Sequence, residues 1–194
     1  MRCFVALDLP RPVGNYLAGL AGKVAGKGDV KWVPAHQLHL TLVFAGDVDE
    51  AGVAGLREVV RTAPLPAMQL ALAGLGHFPP RGEPRVVWAG LGGDLAALNA
   101  LYEHLAAGAA ALGVERESRG FVPHVTLGRV KSPFGALALI DALRKLGGEL
   151  RDKPFAPTAL SLYGSELRPG GPLHTLLATR PVPGAAADVT RDPD

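Results

Sequence analysis

Apolar positions along the chain recur in two rhythms: strict alternation in short runs, and a spacing near 3.6 in the longer stretches between them. Residues 2–8 read as a strand closed by Pro10 and Pro12, and Val13, Tyr16, Leu17, Leu20 and Val24 then recur at helical spacing to about residue 27. Proline in the first turn suits that helix. Residues 30–33 predict a short strand stopped by Pro34, and residues 38–44 a longer one broken at Gly46-Asp47. Asp49-Glu50 opens a second helix through Val53, Leu56, Val59 and Val60, which Pro64 ends. Residues 68–75 predict a strand, 76–84 a turn-rich loop, and 85–91 another strand. An amphipathic helix follows through Leu95, Leu98, Leu101, Tyr102, Leu105, Ala109 and Leu112, stopped by Gly113. Residues 114–120 suit either a short strand or a loop; then come a strand to about 130, a helix over 134–146, and strands near 156–163 and 173–179.

The order of these elements repeats. Strand, helix, Trp32-Val33-Pro34, strand, helix, strand in the first half is matched by strand, helix, Phe121-Val122-Pro123, strand, helix, strand in the second. The repeat is too long for a solenoid and predicts a duplication, with two lobes about a pseudo-two-fold axis. The expected fold class is α+β: two antiparallel-sheet lobes with outer helices around a central cleft. Residues 1–182 form one domain of interleaved lobes from halves at about 1–80 and 85–180, followed by a disordered tail over 183–194.

The strand after each Val-Pro carries a histidine and a threonine two residues apart: Leu38-His39-Leu40-Thr41-Leu42 and Pro123-His124-Val125-Thr126-Leu127. In a strand, His39 and Thr41 share one face, as do His124 and Thr126, while the apolar neighbours point into a core. With six histidines and seven threonines in the chain, chance supplies about 0.2 such matches. A single histidine of this kind is most often structural. Two at corresponding places in a duplicated chain point to paired acid–base groups on one cleft. An imidazole exchanges protons near neutrality, so one can act as base while the other acts as acid. In-line displacement at phosphorus uses that arrangement, and threonine hydroxyls can donate to the non-bridging oxygens. No metal or other cofactor is required, and a cyclic phosphodiester fits because its ring already presents the leaving oxygen.

Composition adds bounds. The 194 residues are 48% hydrophobic and 20% charged with a formal net charge of +2, a folded protein that permits an anionic substrate without demanding one. Cys3 is the lone cysteine, so neither an intramolecular disulfide nor a cysteine zinc site can form. No apolar run is long enough to span a bilayer, and no charged-then-apolar leader precedes the first strand; the expectation is a soluble cytoplasmic protein.

The two tetrads resemble the signature motifs of the 2H phosphoesterase superfamily. Residues 2–180 are similar, more closely, to the bacterial and archaeal RNA 2′,3′-cyclic phosphodiesterases, historically called 2′-5′ RNA ligases. Supporting stretches are Arg2-Cys3-Phe4-Val5-Ala6-Leu7-Asp8-Leu9-Pro10, Trp32-Val33-Pro34, Arg85-Val86-Val87-Trp88-Ala89-Gly90, the run from Pro123 through Gly128-Arg129-Val130, and Ser165-Glu166-Leu167-Arg168-Pro169-Gly170-Gly171-Pro172. His174 stands where the family pattern often has an aromatic residue. The resemblance implies hydrolysis of an RNA terminal 2′,3′-cyclic phosphate to a 2′-phosphomonoester, with reversible ATP-independent 2′-5′ joining as an accompaniment. It also implies His39 as general acid and His124 as general base, a division that spacing does not supply. The implied partner is RNA with cyclic-phosphate ends; no protein partner and no membrane are implied, and a monomer is expected.

Other candidates are Phe4, to stack a base or pack in the core; Arg129, to meet a phosphate or stay a surface charge; and Tyr163, as core or substrate wall. Lys131, Arg119 and Arg85 are candidates for positive potential in the groove. His36 reads as a loop residue just before the first motif, and His77 and His104, which lack a partner pattern, read as solvated or structural. Competing readings are a histidine-based metal hydrolase, disfavoured by the lack of helical i, i+4 histidines beside a carboxylate; a non-catalytic RNA-end binder; and a phosphodiesterase for a small cyclic nucleotide or ADP-ribose cyclic phosphate.

Overall fold

The structure is a computed structural model and describes residues 1–117, 120–148, 150, 154–169 and 171–185. Arg119, Gly170 and most of the expected tail lie outside the described residues, while Ala185 packs partly against the core. Strand β1 (Arg2–Asp8) leads to helix α1 (Arg11–Val24), strand β2 (Val30–Trp32), one 3-10 turn (Ala35–Gln37) and strand β3 (His39–Asp47). Helix α2 (Glu50–Thr62), β4 (Leu70–Phe78), β5 (Val86–Gly93), α3 (Leu95–Ala111), β6 (His124–Val130), α4 (Ala136–Gly148), β7 (Ala159–Arg168) and β8 (Gly171–Pro181) complete the order.

Local chemistry sets these bounds. Pro12 sits in the first turn of α1, whose Leu17, Leu20 and Val24 face the core. Asp49 caps α2, its side chain accepting from the Gly52 N–H at 2.8 Å. Leu98, Leu101, Leu105 and Ala109 of α3 are buried at the spacing the sequence shows. Strand β4 runs further than expected: Gly76, His77 and Phe78 pair with Trp88, Val87 and Val86, taking residues the turn-rich composition assigns to a loop. Gly76 is needed there because the Trp88 indole lies over it; an added Cβ would meet Trp88 Cη2 at 2.5 Å.

The strands form one antiparallel sheet in the order β4-β5-β6-β3-β1-β7-β8, with β2 also on β6. Lobe one holds β1, β3, β7 and β8; lobe two holds β4, β5, β6 and β2. β2 and β4 of the first half therefore sit in lobe two, on β6 and β5, while β7 and β8 of the second half sit in lobe one, with β7 on β1. The lobes meet where β3 and β6 pair, at Leu40↔Val125, both fully buried.

Both central strands carry a bulge at corresponding places. Val5↔Val43 and Ala6↔Thr41 leave Leu42 extra on β3, and Val87↔Gly128 and Trp88↔Thr126 leave Leu127 extra on β6. A bulge reverses the alternation beyond it. Leu42-Val43 and Leu127-Gly128 are thus consecutive buried pairs, and Phe44 and Arg129 turn out to the face of the histidines. The correspondence between the two halves is incomplete at one edge. β2 closes the edge of β6, but the segment corresponding to it, residues 115–117, makes no hydrogen-bonded register with β3. A cavity of about 440 Å³ lies there instead, lined by Phe44, Tyr102, Ala106, Glu115 and Glu117 among others.

The lobe junction should dominate stability. Leu40→Ala removes a fully buried side chain where the lobes join, and the expected loss is about 2–5 kcal/mol in urea unfolding. A loss below about 1 kcal/mol would mean that this junction is loosely packed.

Candidate active site

The register Leu40↔Val125 sets His39 across from Thr126 and Thr41 across from His124. All four polar side chains are half-buried on one face of the sheet, while Leu40, Leu42, Val125 and Leu127 are buried on the other. The alternation expected from the sequence is therefore present in both strands, and the pairing of β3 with β6 brings the two sets together.

Each histidine is held the same way. His39 Nδ1–H donates to the Gln37 carbonyl at 2.7 Å, and His124 Nδ1–H donates to the Val122 carbonyl at 2.7 Å. A carbonyl only accepts, so the proton of the neutral ring resides on Nδ1 and each Nε2 is left to take or give a proton.

The rings are backed by different aromatic clusters. His39 stacks on Phe4 at a centroid distance of 4.8 Å, Phe4 stacks in turn on Tyr163 at 5.3 Å, and His174 stands edge-to-face to His39 at 5.8 Å. His124 meets Phe78 edge-to-face at 5.0 Å, with Trp88 at 6.4 Å. Phe4, for which the sequence allows base stacking or core packing, is 4% exposed, with its faces against His39 and Tyr163. It backs the His39 ring.

Beneath His39 lies Asp8, its cross-strand neighbour and 5% exposed. Tyr163 Oη–H donates to Asp8 Oδ1 at 2.7 Å and Ser161 Oγ–H to Oδ2 at 2.7 Å, while Ser161 and Thr179 hydroxyls lie 3.0 Å apart. Tyr163, half-buried beside Phe4, thus holds the buried Asp8 carboxylate. Burial pushes the His39 pKa below the ordinary imidazole value, and His174 pushes the same way; the Gln37 carbonyl and Asp8 pull against them. Burial also lowers His174, whose Nδ1 is buried with no hydrogen-bond partner among the described residues.

Arg129 is exposed on the cleft face beyond the bulge, and Lys131 is exposed just past the end of β6. Asp8, Ser161, Phe78 and Trp88 were not singled out by sequence reasoning as site residues. Asp8 closes an otherwise apolar strand, a buried-carboxylate signal that could have found it. Phe78 sits in a stretch that composition assigns to a loop, so only strand pairing places it. Among the described residues no three His, Cys, Asp or Glu are grouped to hold a metal ion, and no helix is long and apolar enough to cross a membrane.

The chain matches the model of the 2′-5′ RNA ligase superfamily over residues 11–167. It is similar to the RNA 2′,3′-cyclic phosphodiesterase of Archaeoglobus fulgidus, 34% identical over 181 residues that cover 90% of this chain and 96% of the relative. The Thermus thermophilus RNA 2′,3′-cyclic phosphodiesterase is 36% identical over 188 residues, covering 91% of this chain and 88% of that one. Among solved structures, E. coli LigT complexed with 3′-AMP superposes with a TM-score of 0.75 at 26% identity, covering 94% of this chain and 98% of its own. With matching sequence over most of its length and the α+β architecture of the LigT-type 2H phosphoesterases, the chain belongs to the 2′-5′ RNA ligase superfamily.

Proposed function

We propose that the protein hydrolyses the terminal 2′,3′-cyclic phosphate of RNA to a 2′-phosphomonoester, using two histidines and no metal. The observation that carries this reading is the pair of His/Thr sets on one sheet face, each imidazole donating from Nδ1 to a carbonyl two residues upstream. The names of the relatives support the substrate class.

In this mechanism His124 Nε2 takes a proton from water as the water oxygen bonds to phosphorus. The P–O3′ bond breaks opposite, and O3′ receives a proton from His39 Nε2. The products are a 2′-phosphate and a free 3′-hydroxyl. Thr41 and Thr126 hydroxyls donate to the two non-bridging oxygens, which carry negative charge throughout. Arg129 adds a fixed cation for the phosphate. A 5′-hydroxyl in place of water would give a 2′-5′ linkage by the same steps, without ATP. Cytoplasmic RNA ends are the expected setting.

The first test is direct. An oligonucleotide ending in a 2′,3′-cyclic phosphate, incubated with the protein in excess chelator, should yield the 2′-phosphate isomer at an undiminished rate. His39→Ala and His124→Ala should each lower kcat by about 10²-fold or more, the scale of general acid–base groups. Near-normal turnover in either variant, or a rate abolished by chelation, contradicts the mechanism.

A second test reads the surroundings of His39. A general acid must be protonated, so activity falls as pH rises through its pKa. Because burial, aided by His174, holds that pKa low, the alkaline limb of kcat/KM should lie below the ordinary imidazole value of ~6.5. His174→Phe keeps an aromatic ring and removes a charge that opposes the His39 proton, so the limb should move to higher pH. A limb that stays in place in this variant assigns the depression to burial alone.

A further inference from the structure

The pseudo-two-fold makes the catalytic groups equivalent, but not what flanks them. The interval between His39 and His124 also relates Phe44 to Arg129 and Lys31 to Arg116. Lys31 of β2 and Arg129 of β6 are cross-strand partners, both exposed. Val30, Trp32 and Val130 pack against the core, so Lys31 and Arg129 lie on the opposite, cleft face. The Lys31 amine reaches the far lobe: a Cβ added to Gly171, where β8 begins, would lie 3.2 Å from its Nζ. Lys131 follows Arg129 by one strand period, held by its N–H donating to the Asp29 carbonyl at 2.8 Å.

The other end is built differently. Phe44, in the place of Arg129, is 57% exposed. Arg116, in the place of Lys31, is bound to Glu103 at 2.5 Å and is flanked by the exposed Glu115 and Glu117. One end of the cleft therefore carries three exposed cations, whereas the other is mixed, with the Arg2 guanidinium 5.7 Å over the Phe44 ring and Arg116 set among Glu103, Glu115 and Glu117. The register Leu40↔Val125 orders the catalytic groups between them, with Thr126 and His39 toward the cationic end and Thr41 and His124 toward the aromatic end.

Resting on the phosphodiesterase reading above, we propose that the RNA strand runs out of the cleft at the Lys31/Arg129 end only. Its upstream phosphates lie against Lys31 and Lys131, and its terminal base points toward Phe44. A polyanion gains more against Lys31, Arg129 and Lys131 than at the other end, where the charges of Arg2 and Arg116 are offset by those of Glu103, Glu115 and Glu117. The covalent structure of ribose then orients the reacting group. C3′ is bonded to C4′, which carries the chain through C5′, whereas C2′ is bonded to C1′, which carries the base. A strand leaving at the Lys31 end puts O3′ on the side of His39 and O2′ on the side of His124. Charge outside the catalytic tetrad thus selects which oxygen leaves, although the tetrad itself is nearly symmetric.

The test compares an octanucleotide ending in a 2′,3′-cyclic phosphate with 2′,3′-cyclic AMP across a salt series. For the octanucleotide, Lys31→Ala and Lys131→Ala should each reduce the slope of log kcat/KM against log salt by about 0.7, and raise KM roughly fourfold at ~0.15 M salt, the values for one phosphate of a single strand. The cyclic mononucleotide, with no upstream phosphate, should respond less to either change. Glu115→Lys, which places a cation at the opposite end, should leave the octanucleotide slope where it was. Equal losses on both substrates, an unmoved slope in both lysine variants, or a steeper slope in Glu115→Lys would overturn the assigned direction. If the unaltered protein turns over neither substrate, the phosphodiesterase reading itself fails, and this inference with it.

Discussion

Everything in the cleft depends on how β3 meets β6. An antiparallel pair at Leu40↔Val125 is the contact through which two lobes, each with its own strands and helices, become one sheet. Because strand side chains alternate, that single register decides that both histidines and both threonines emerge on the same face. It also sets each histidine across from the other strand's threonine. A slip of one residue on either strand would turn its polar pair into the core and its leucines into the cleft. Burial of Leu40, Leu42, Val125 and Leu127 is what forbids that slip.

Around this junction the two halves share a plan and differ in detail. Both histidines are oriented by a carbonyl two residues upstream, and both strands bulge one residue past the threonine. The aromatic supports differ: Phe4, Tyr163 and His174 surround His39, whereas Phe78 and Trp88 flank His124. Among the described residues, only the His39 side has a buried carboxylate beside it, Asp8, held by Tyr163 and Ser161. A symmetric substrate would not need such differences. A ribose cyclic phosphate is asymmetric, with one oxygen leaving and one staying, and the departures from symmetry give the protein a means to tell them apart.

Much of this is legible in the chain alone. The tetrads His39-Leu40-Thr41-Leu42 and His124-Val125-Thr126-Leu127 declare strands with one polar and one apolar face, and the order of elements around them declares the duplication. Helix α2 announces itself through Asp49 and the apolar spacing of Leu56 and Val60. Phe4 was open to two readings, stacking a base or packing in the core, because strand alternation alone does not show that neighbouring rings cover it. The end of β4 was missed, because glycine and proline density around residues 76–84 outweighs the pairing of Gly76–Phe78 with β5 in any local reading.

What the sequence determined by itself, then, is whatever follows from short-range periodicity: which residues alternate, where helices start and stop, and which polar groups interrupt an apolar strand. Tertiary structure alone decided which strands lie side by side, that β4 and β7 cross to the other lobe, and that bulges at Leu42 and Leu127 turn Phe44 and Arg129 into the cleft. It alone set Asp8 beneath His39 and carried Lys31 to the opposite wall. The physical reason is range. Alternation is a property of consecutive bonds, whereas strand exchange, bulge placement and charge asymmetry arise from contacts between residues far apart in the chain.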